Sequence, residues 1–538
     1  MPSTSATNTE FDAIVVGAGF SGLYALQQLR EAGLNVLGLE KGTGVGGTWY
    51  WNRYPGARTD STTEVYQYWF SEELLKEWKW SERFAAQEET ERYLNFVADK
   101  FDLRGQFRFG VEVSSAIYDE ASDLWSITTA DGDALSARFL LMCTGGLSEP
   151  IFPKIEGRES FAGEMFHTSR WPHEPIDYTG KRVGVFGTGA TGIQVIQSIA
   201  DKVGHLKVFQ RTPNYTIPMR NPKLDAAAHE DRAARFPEIQ QRVRETFTGF
   251  EFDFDARPFH EVSPEERRQK LEDLYADGSL AFWVGSFFEV FVDEGASQEF
   301  SDFAREKMRA RLKDPKVAEK LMPKDYLFGT RRVPLETGYY EAYNRDNVEL
   351  IDLRETPVER ITPDGVVTSA EAHDLDMLIF ATGFDAGRGA INKVDVRGRN
   401  GAKLKDIWDK ELRSFMGLQV HGFPNLFMTM GPLSPAAALC NAPTCIQQQV
   451  EWIRDAIDHV RGKQARSMEP KAEAEAEWLA HHYEVSSQLL ALQAESWYVG
   501  SNVDGKPKGL IAYAGGSPAY IERCEAVKAG GYSEFNIA

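Results

Sequence analysis

Two glycine-rich turns contain the residues whose spacing is best suited to holding a reactive cofactor. Gly17-Ala-Gly-Phe-Ser-Gly22 follows a short apolar run near the N-terminus, and Gly187-Thr-Gly-Ala-Thr-Gly192 follows a second one. The spacing G-x-G-x-x-G is typical of the turn that binds the pyrophosphate of a dinucleotide. Two such turns predict two redox dinucleotides. The segment Phe161–Pro172 (FAGEMFHTSRWP) separates them, so we expect it to lie where the two sites meet.

The elements around the first turn are those of a nucleotide-binding unit. Residues 11–16 are apolar and rich in β-branched side chains, which predicts a buried strand. Residues 23–32 predict a helix, and residues 34–39 predict a second strand that ends at Glu40. A strand, a glycine turn, a helix, a second strand and a terminal acid are together much more specific than a glycine motif alone.

The residues of this first unit have separate mechanical roles. Gly17 permits the tight turn, Gly19 lets the backbone approach the pyrophosphate, and Gly22 lets the helix pack on the strand. The N-terminus of the helix faces the phosphates. Glu40 stands where a carboxylate accepts hydrogen bonds from ribose hydroxyls.

A second glycine-rich stretch, residues 44–58 (GVGGTWYWNRYPGAR), follows the first unit. Its glycines suit close backbone contact with another part of the same cofactor. The run Trp49-Tyr50-Trp51 is open to two interpretations, core packing or the wall of a flavin site. We favour the wall, because a phosphate-binding unit and two arginines adjoin the run. Asp60 follows, and it gains a functional interpretation only if a cationic side chain lies beside it.

The second glycine turn lies between similar predicted elements, but different residues follow its second strand. Residues 181–186 predict a strand, residues 193–200 a helix and residues 206–209 the next strand. Arg211 and Thr212 follow this strand in place of an acid. An arginine attracts a 2′-phosphate that a carboxylate would repel, so the site is expected to prefer NADPH to NADH. The alternative is that Arg211 is an ordinary surface charge.

A charged insertion and two loops complete the set of candidate segments. Residues 221–330 have a helical and highly charged pattern, and the adjacent Arg331 and Arg332 follow them. These arginines are either surface charges or side chains that project into a cleft. Residues 431–445 and 496–506 are rich in small residues and turn formers, and loops of this kind often close over ligands.

The composition argues against several other classes of protein. A chain of 538 residues is too long for one core, and its net charge of −20 argues against nucleic acids and anionic membranes as partners. Its 4 cysteines include no C-x-x-C pair, so neither a dithiol redox centre nor a structural zinc site is predicted. Buried or incidental thiols are expected instead. With no signal-like N-terminus and no membrane-length apolar run, we expect a cytoplasmic protein.

Taken together, the motifs resemble the fingerprint of type I Baeyer–Villiger monooxygenases, close to the cyclohexanone, phenylacetone and steroid monooxygenase group. The resemblance extends from about Phe11 to the end of the chain and rests on GAGFSGLY, GGTWYWNRYPGAR, FAGEMFHTSRWP, GTGATGIQ, FQRTP, ATGFDA and SWYVGSN. It implies tightly bound FAD together with NADPH, O2 and a ketone substrate. It also implies a flavin C4a-peroxide that inserts one oxygen atom beside the carbonyl, which gives an ester or a lactone.

The predicted fold class is α/β, with two Rossmann-like dinucleotide-binding domains, one for FAD and one for NADPH, and a helical insertion. A monomer or a weak homo-oligomer is expected. The predicted segments are residues 1–145 (first part of the FAD domain), 146–220 (linker and first part of the NADPH domain), 221–334 (insertion), 335–385 (second part of the NADPH domain) and 386–538 (second part of the FAD domain, with the mobile C-terminal loop).

The resemblance also implies roles for single residues. Arg332 matches the active-site arginine of the family, and the acid that matches Asp60 is implied to hold it. A fixed cation at this place stabilises negative charge on oxygen. Arg331 stands where the family usually has a lysine at the 2′-phosphate, which keeps the charge but changes the geometry. Trp497 matches a tryptophan of the mobile loop that contacts the nicotinamide cofactor, whereas His167 is implied to be structural.

The predicted cofactor-binding residues come from the motifs of both nucleotide sites, and no metal ligands are predicted. They are Gly17, Gly19, Phe20, Ser21, Gly22, Glu40, Gly47, Thr48, Trp49, Asp60, Gly187, Thr188, Gly189, Thr191, Gly192, Gln194, Arg211, Thr212, Arg331 and Trp497.

The substrate pocket is predicted from an approximate match to the family. The loop 433–445 is one residue longer than in the phenylacetone type, and Ala512 stands in place of a bulkier side chain. Each difference is expected either to enlarge the pocket or to alter its mouth, and a larger pocket favours cyclic or bulky ketones. The residues predicted to line it are Gly146, Leu147, Leu439, Cys440 and Ala512.

Two other functions are compatible with two dinucleotide sites. A flavin-containing N- or S-monooxygenase shares both sites, but the combination of Asp60, Arg332 and the fingerprint segment favours ketone oxidation. A non-catalytic flavoprotein sensor is the second alternative, and the retained polar pair between the sites argues against it.

Overall fold

The computed structural model describes residues 9–436, 439–503 and 505–538. The strands are β1 (Thr9–Val16), β2 (Val36–Glu40), β3 (Phe107–Phe109), β4 (Val113–Asp119), β5 (Leu124–Thr129), β6 (Ala134–Met142), β7 (Glu164–His167), β8 (Arg182–Phe186), β9 (His205–Gln210), β10 (Ile217–Pro218), β11 (Leu335–Glu336), β12 (Val348–Asp352), β13 (Val358–Thr362), β14 (Gly365–Thr368), β15 (Ala372–Asp374), β16 (Met377–Phe380), β17 (Asp395–Arg397), β18 (Leu426–Met428), β19 (Met468–Pro470) and β20 (Phe535–Ile537).

Helices cover the sheets and form most of the segment between residues 226 and 321. They are α1 (Phe20–Glu31), α2 (Thr48–Trp51), α3 (Glu72–Glu77), α4 (Gln87–Lys100), α5 (Ala190–Ile199), α6 (Ala226–Glu245), α7 (Pro264–Asp277), α8 (Ala281–Val284), α9 (Glu294–Arg309), α10 (Pro315–Leu321), α11 (Tyr339–Ala342), α12 (Gly389–Asn392), α13 (Leu404–Trp408), α14 (Ala442–Gly462), α15 (Ala472–Ser486) and α16 (Ser517–Ala529).

The larger sheet carries the first glycine turn. Its strand order is β17-β4-β5-β6-β1-β2-β3, and β1 lies between β6 and β2 with both pairings parallel. All five residues of β2 are buried, and those before Glu40 carry no polar side chain, as expected for a parallel strand that is covered on both faces. The second half of β6 pairs with β18, so a strand from near residue 426 completes the sheet that the N-terminal segment begins.

The second sheet carries the second glycine turn. Its order is β12-β9-β8-β16-β7, with parallel pairing throughout. The strand β7 belongs to the fingerprint segment and pairs with β16, Phe380 opposite His167. The fingerprint is therefore built into the edge of the second sheet. A small antiparallel sheet, β13-β14-β15, connects β12 to β16 along the chain.

The helical insertion packs around an aromatic core. Phe282 lies 5.4 Å from Phe328 and 5.5 Å from Phe300, measured between ring centroids, and all three side chains are fully buried. The helix α7 begins with a capping box, since Ser263 and Glu266 each satisfy the other's backbone N–H. This core fixes the segment that leads to Gly329 and Arg332.

The predicted fold class is confirmed, with two Rossmann-like units and a helical insertion. The five segment boundaries stay a prediction. In the described part of the chain, no helix is long and apolar enough to cross a membrane.

Candidate active site

The first glycine turn makes a close-packed cradle in which side chains would not fit. A Cβ on Gly17, whose φ is +110°, would lie 2.4 Å from the carbonyl oxygen of Cys143. A Cβ on Gly47 would lie 2.7 Å from the Cα of Gly19. The two glycine stretches predicted to touch one cofactor therefore meet backbone to backbone. This geometry fits a pyrophosphate held by main-chain N–H groups at the start of α1.

Glu40 is buried at the end of β2 and faces this cradle. One carboxylate oxygen accepts a hydrogen bond from the N–H of Ala18 at 2.7 Å, and the other accepts one from Gly42 at 2.6 Å. Burial raises the pKa of Glu40, and these two N–H groups oppose that rise. A carboxylate fixed in this way has lone pairs left for ribose hydroxyls, which fits the predicted FAD site.

The three consecutive aromatic residues divide between the two roles that the sequence left open. Trp49 and Trp51 line the main cavity, whereas Tyr50 packs against glycines of the same loop. The hydroxyl of Tyr50 accepts a hydrogen bond from the N–H of Thr43 at 3.0 Å. Trp49 donates its indole N–H to the hydroxyl of Tyr66 at 3.2 Å. Two of the three residues therefore serve the wall and one serves the core.

A cavity of about 550 Å³ extends from the first glycine turn to the C-terminal loops. Its wall includes the predicted residues Gly17, Gly19, Phe20, Ser21, Glu40, Gly47, Thr48, Trp49 and Trp497, and the predicted pocket residues Gly146, Leu147, Leu439 and Ala512. Gly22 lies beneath the cradle, because a Cβ there would meet the carbonyl oxygen of Gly17.

Cys440 does not line this cavity, which corrects its prediction as a pocket residue. Its side chain is fully buried and forms a disulfide with Cys445 in the first turn of α14, with the Cα atoms 6.5 Å apart. The hydroxyl of Ser517 lies 3.6 Å from its sulfur. All four cysteines are buried, which is one of the two predicted outcomes, whereas the pairing of Cys440 with Cys445 was not predicted. Cys143 and Cys524 are free and buried.

Arg332 and Asp60 lie side by side. An Nη atom of Arg332 is 3.0 Å from Oδ2 of Asp60, and the side chain of Asp60 is 7% exposed. Burial raises the pKa of Asp60, and the neighbouring guanidinium offsets part of that rise. For Arg332, burial acts to lower the pKa, but Asp60 and then Tyr498 outweigh it, so the pKa is raised. The arginine is a fixed cation in surroundings of low polarity.

Two aromatic residues that were not among the predicted site residues adjoin Arg332. The guanidinium carbon of Arg332 lies 5.8 Å from the ring centroid of Trp283, and both Trp283 and Tyr498 line the cavity. Trp283 belongs to the apolar run 281–288 at the start of α8, a pattern that usually indicates core. Tyr498 follows Trp497 directly. The run of aromatic residues in each segment was the available signal.

The second glycine turn has the same close packing and an open phosphate side. A Cβ on Gly187 would lie 2.6 Å from the carbonyl oxygen of Ala381, and one on Gly192 would lie 2.1 Å from that of Gly187. Around Gly189, at the N-terminus of α5, the same added atom would meet nothing within 4 Å. This arrangement fits a second pyrophosphate. Thr188 donates its hydroxyl to the carbonyl of Thr212 at 2.8 Å, which holds the turn next to the end of β9.

Gln194 connects the two nucleotide units. It donates a side-chain hydrogen bond to the carbonyl of Arg58 at 3.0 Å and accepts one from the hydroxyl of Tyr54 at 2.8 Å. Both polar atoms of its amide are therefore engaged by protein. Thr191 stands in the same turn of α5.

Arg211 is exposed after β9, and Arg331 is half-buried. Among the described residues, neither arginine has a carboxylate within 4.0 Å.

His167 is the last residue of β7 and contacts the segment that follows this strand. Its Nδ1 accepts a hydrogen bond from the N–H of Ser169 at 3.2 Å, and its Nε2 lies 3.3 Å from the hydroxyl of Thr382. Burial lowers the pKa of His167 to about 4, so the ring is neutral at neutral pH. These contacts are those of a structural residue. No cluster of potential metal ligands occurs in residues 9–436, 439–503 and 505–538.

Comparison with known proteins places this site in a family. Residues 12–218 match the family model "Flavin-binding monooxygenase-like". The chain is 51% identical to acetone monooxygenase (methyl acetate-forming) of Gordonia sp. (strain TY-5), over 99% of this chain and 100% of that protein. It is 39% identical to cyclohexanone 1,2-monooxygenase of Acinetobacter sp, over 98% and 97% of the two chains.

The fold agrees with solved structures of the same group. A crystal structure of OTEMO complexed with FAD and NADP superimposes with a TM-score of 0.95 at 41% identity, over 98% of this chain and 99% of that one. The two cradles, the acid at the end of β2 and the buried arginine–carboxylate pair thus occur in a chain whose relatives share its full length. The chain belongs to the Baeyer–Villiger monooxygenases of the flavin-binding monooxygenase-like family, enzymes that use FAD and NADPH.

Proposed function

We propose that this Baeyer–Villiger monooxygenase acts on cyclic or bulky ketones and that Arg332 and Asp60 form its active-site charge pair. The observation that carries the proposal is the buried contact of 3.0 Å between Arg332 and Asp60. Arg332 adjoins Trp283, which together with Tyr498 lines the cavity that begins at the first glycine turn. The enzyme places a permanent cation where an oxygen acquires negative charge.

The bound FAD, once reduced by NADPH, supplies the chemistry that activates O2 for insertion beside the carbonyl. The protein itself positions the reacting groups and stabilises the negative charge that develops on oxygen. Arg332 is aimed in advance at a place where charge develops, so no reorganisation is needed during the reaction. Asp60 keeps the guanidinium in one orientation, because the pair shares a hydrogen bond inside the fold. The apolar wall excludes water, which strengthens the interaction of Arg332 with a developing oxyanion.

The preference for cyclic or bulky ketones is supported by the small residues in the wall. Gly146, Gly431, Ala436 and Ala512 all line the cavity. Trp283 and Phe291 line it as well and supply large apolar surfaces. A ring or a branched chain buries more apolar area in such a pocket than a short linear ketone does.

We also propose that residues 1–145 and 386–538 form the FAD domain and that residues 146–220 and 335–385 form the NADPH domain. The pairing of β17 and β18 with strands of the larger sheet supports the first grouping. The pairing of β16 with β8 and of β12 with β9 supports the second. Residues 221–334 are then the insertion.

We further propose that the protein is cytoplasmic and that it is a monomer or a weak homo-oligomer. Size-exclusion chromatography over a range of protein concentrations tests the oligomeric state.

Product analysis tests the reaction and the substrate class together. The FAD-loaded protein is mixed with NADPH, O2 and, in parallel, acetone, cyclohexanone and a larger cyclic ketone, while ester or lactone and hydrogen peroxide are measured. We expect lactone to form in proportion to NADPH consumed, with kcat/KM higher for the cyclic ketones than for acetone. Turnover of small linear ketones only would overturn the substrate class. Oxidation of an amine or a sulfide without any ketone product would favour the N- or S-monooxygenase alternative.

A further inference from the structure

Arg331 is stacked on a buried tyrosine. Its guanidinium carbon lies 4.3 Å from the ring centroid of Tyr326. That ring is 9% exposed, and its hydroxyl donates a hydrogen bond to the carbonyl of Pro213 at 2.8 Å. The side-chain oxygen of Asn214 lies 3.0 Å from the same hydroxyl. The ring on which Arg331 stacks is therefore held in place through its hydroxyl group.

The hydroxyl of Tyr326 is hydrogen-bonded to the segment that directly follows Arg211 and Thr212. Pro213 and Asn214 continue the chain from Arg211 and Thr212 after β9. Tyr326 thus contacts both Arg331, near the end of the helical insertion, and the segment next to Arg211, although the two arginines are 120 residues apart in the sequence.

Arg211 and Arg331 form no ion pairs in the described part of the chain. Among the described residues, neither Arg211 nor Arg331 has a carboxylate within 4.0 Å, and the buried Nε of Arg331 has no acceptor. Burial lowers the pKa of Arg331 and the charge of Arg211 acts in the same direction, whereas Tyr326 and the more distant Glu495 oppose that shift. Two arginines that form no ion pair among the described residues, one of them partly buried, fit a ligand that brings at least one negative charge.

We propose that Tyr326 is a positioning residue that selects NADPH over NADH, by holding the guanidinium of Arg331 towards the 2′-phosphate. This inference rests on the predicted role of Arg331 at that phosphate. An arginine can stack on an aromatic face and still present donors to a phosphate, whereas an ammonium group interacts as a point charge on a flexible stem. Tyr326 thus makes an arginine effective at this position.

The experiment measures binding rather than turnover. Dissociation constants of NADP+, NAD+ and 2′,5′-ADP are determined by calorimetry on the FAD-loaded enzyme. The variants are Tyr326→Phe, Tyr326→Leu, Arg331→Lys and the double variant Tyr326→Leu/Arg331→Lys. We expect Tyr326→Leu to weaken NADP+ and 2′,5′-ADP about 5- to 20-fold, from the usual strength of a cation–π contact, and to leave NAD+ within about 2-fold. Tyr326→Phe keeps the ring and is expected to retain more than half of the discrimination between NADP+ and NAD+.

The double variant separates positioning from general damage. If Tyr326 acts through Arg331, its replacement costs little once residue 331 is a lysine, so the effects of the two substitutions are less than additive. Equal weakening of NADP+ and NAD+ by Tyr326→Leu, or full additivity in the double variant, would overturn the proposal. If Tyr326→Leu does not retain FAD, Tyr326→Met takes its place in the same comparison, because it keeps an unbranched apolar side chain.

Arg331→Ala distinguishes this proposal from the role on which it rests. Unchanged discrimination between NADP+ and NAD+ in Arg331→Ala would remove Arg331 from the 2′-phosphate site and would overturn both ideas. A loss of discrimination in Arg331→Ala with none in Tyr326→Leu would overturn the role of Tyr326 alone. Ketone oxidation with NADPH is measured in a separate assay. A wild-type enzyme that does not oxidise ketones would contradict the proposed function without changing either of these binding results.

Discussion

The guanidinium of Arg332 and the carboxylate of Asp60 are 3.0 Å apart, although 272 positions separate the two residues in the chain. Asp60 follows the aromatic loop of the first nucleotide unit, and Arg332 follows the helical insertion. The other carboxylate oxygen of Asp60 is buried and has no hydrogen-bond partner among the described residues. Among the described residues, Arg332 is therefore the side chain that satisfies this buried carboxylate.

Replacement of Arg332 by alanine should abolish product formation and spare cofactor reduction. Removing a fixed cation that stabilises an oxyanion costs about 10²- to 10³-fold in rate. We expect that loss in lactone formation, while NADPH still bleaches the flavin absorbance at a rate within about 10-fold of the wild type. Arg354→Ala, which removes an exposed arginine paired with Asp325, is the matched control. Parallel loss of flavin reduction and lactone formation would argue against a role confined to the oxygen-transfer step.

Replacement of Asp60 by asparagine should cost both stability and activity. The substitution keeps the shape but leaves the half-buried Arg332 without a counter-charge. Breaking a fully buried ion pair costs about 3–5 kcal/mol, and the 23% exposure of Arg332 makes the expected cost smaller. We expect a lower melting temperature and slower lactone formation, with more hydrogen peroxide per NADPH consumed. Asp277→Asn breaks an exposed pair with Arg83 and serves as the control. Wild-type stability in Asp60→Asn would show that the pair is not desolvated in solution.

Glu40 should determine the affinity for FAD. Glu40→Ala removes the acceptor of two backbone hydrogen bonds and any contact with ribose hydroxyls. Because hydrogen bonds to a charged group are worth about 1.5–3 kcal/mol, the dissociation constant for FAD should rise at least about 10-fold. Flavin content after purification and fluorescence titration of the apoprotein measure this change. Glu77→Gln alters an exposed carboxylate that is paired with Lys100 and does not line the cavity, and it should leave FAD affinity unchanged.

Enlarging Ala512 should narrow the substrate range. Its side chain is buried in the cavity wall, and leucine adds three carbon atoms to that wall. One methylene in an apolar pocket is worth about 1–3 kcal/mol of discrimination, so kcat/KM for cyclohexanone should fall about 10- to 100-fold. The value for acetone should change less than about 3-fold. A uniform fall for all ketones would indicate damage to the site rather than a smaller pocket.

Glu251 should make the stability of the enzyme depend on pH. Burial raises its pKa from 4.5 to about 7; the hydroxyl of Thr62 donates to it at 2.6 Å, and the nearby charges of Glu64 and Arg83 act in opposite directions. The folded state retains a proton that the unfolded state releases, so the contribution of Glu251 to stability is largest below pH 4.5 and is lost as the pH rises to about 7. The loss at pH 8 is about 3 kcal/mol, from the shift in pKa.

Glu251→Gln is neutral at every pH and should remove this loss. Melting temperatures measured between pH 5 and pH 8 should fall less steeply for the variant than for the wild type. Glu245→Gln replaces an exposed carboxylate at the last residue of α6, shortly before Glu251, and is the control. Identical pH profiles for the wild type and Glu251→Gln would mean that Glu251 does not carry a proton in the folded protein at neutral pH.

The amino-acid sequence by itself determined the two nucleotide cradles. A strand, a glycine turn, a helix and a second strand are contiguous, and their glycines are required by backbone contacts inside the motif, as at Gly17, Gly22, Gly187 and Gly192. Local conformation and the apolar pattern are sufficient to predict such units. Family resemblance added the nature of the cofactors and the identity of Arg332 as the arginine to test.

Only the tertiary structure decided which distant side chains meet. It paired Arg332 with Asp60, placed Trp283 and Tyr498 around them, stacked Arg331 on Tyr326 and turned Cys440 away from the cavity. It also divided Trp49, Tyr50 and Trp51 between wall and core. These contacts depend on how the helical insertion packs against two sheets. Periodicity and local motifs describe each segment separately, so they contain no information on the distances between segments that are far apart in the chain.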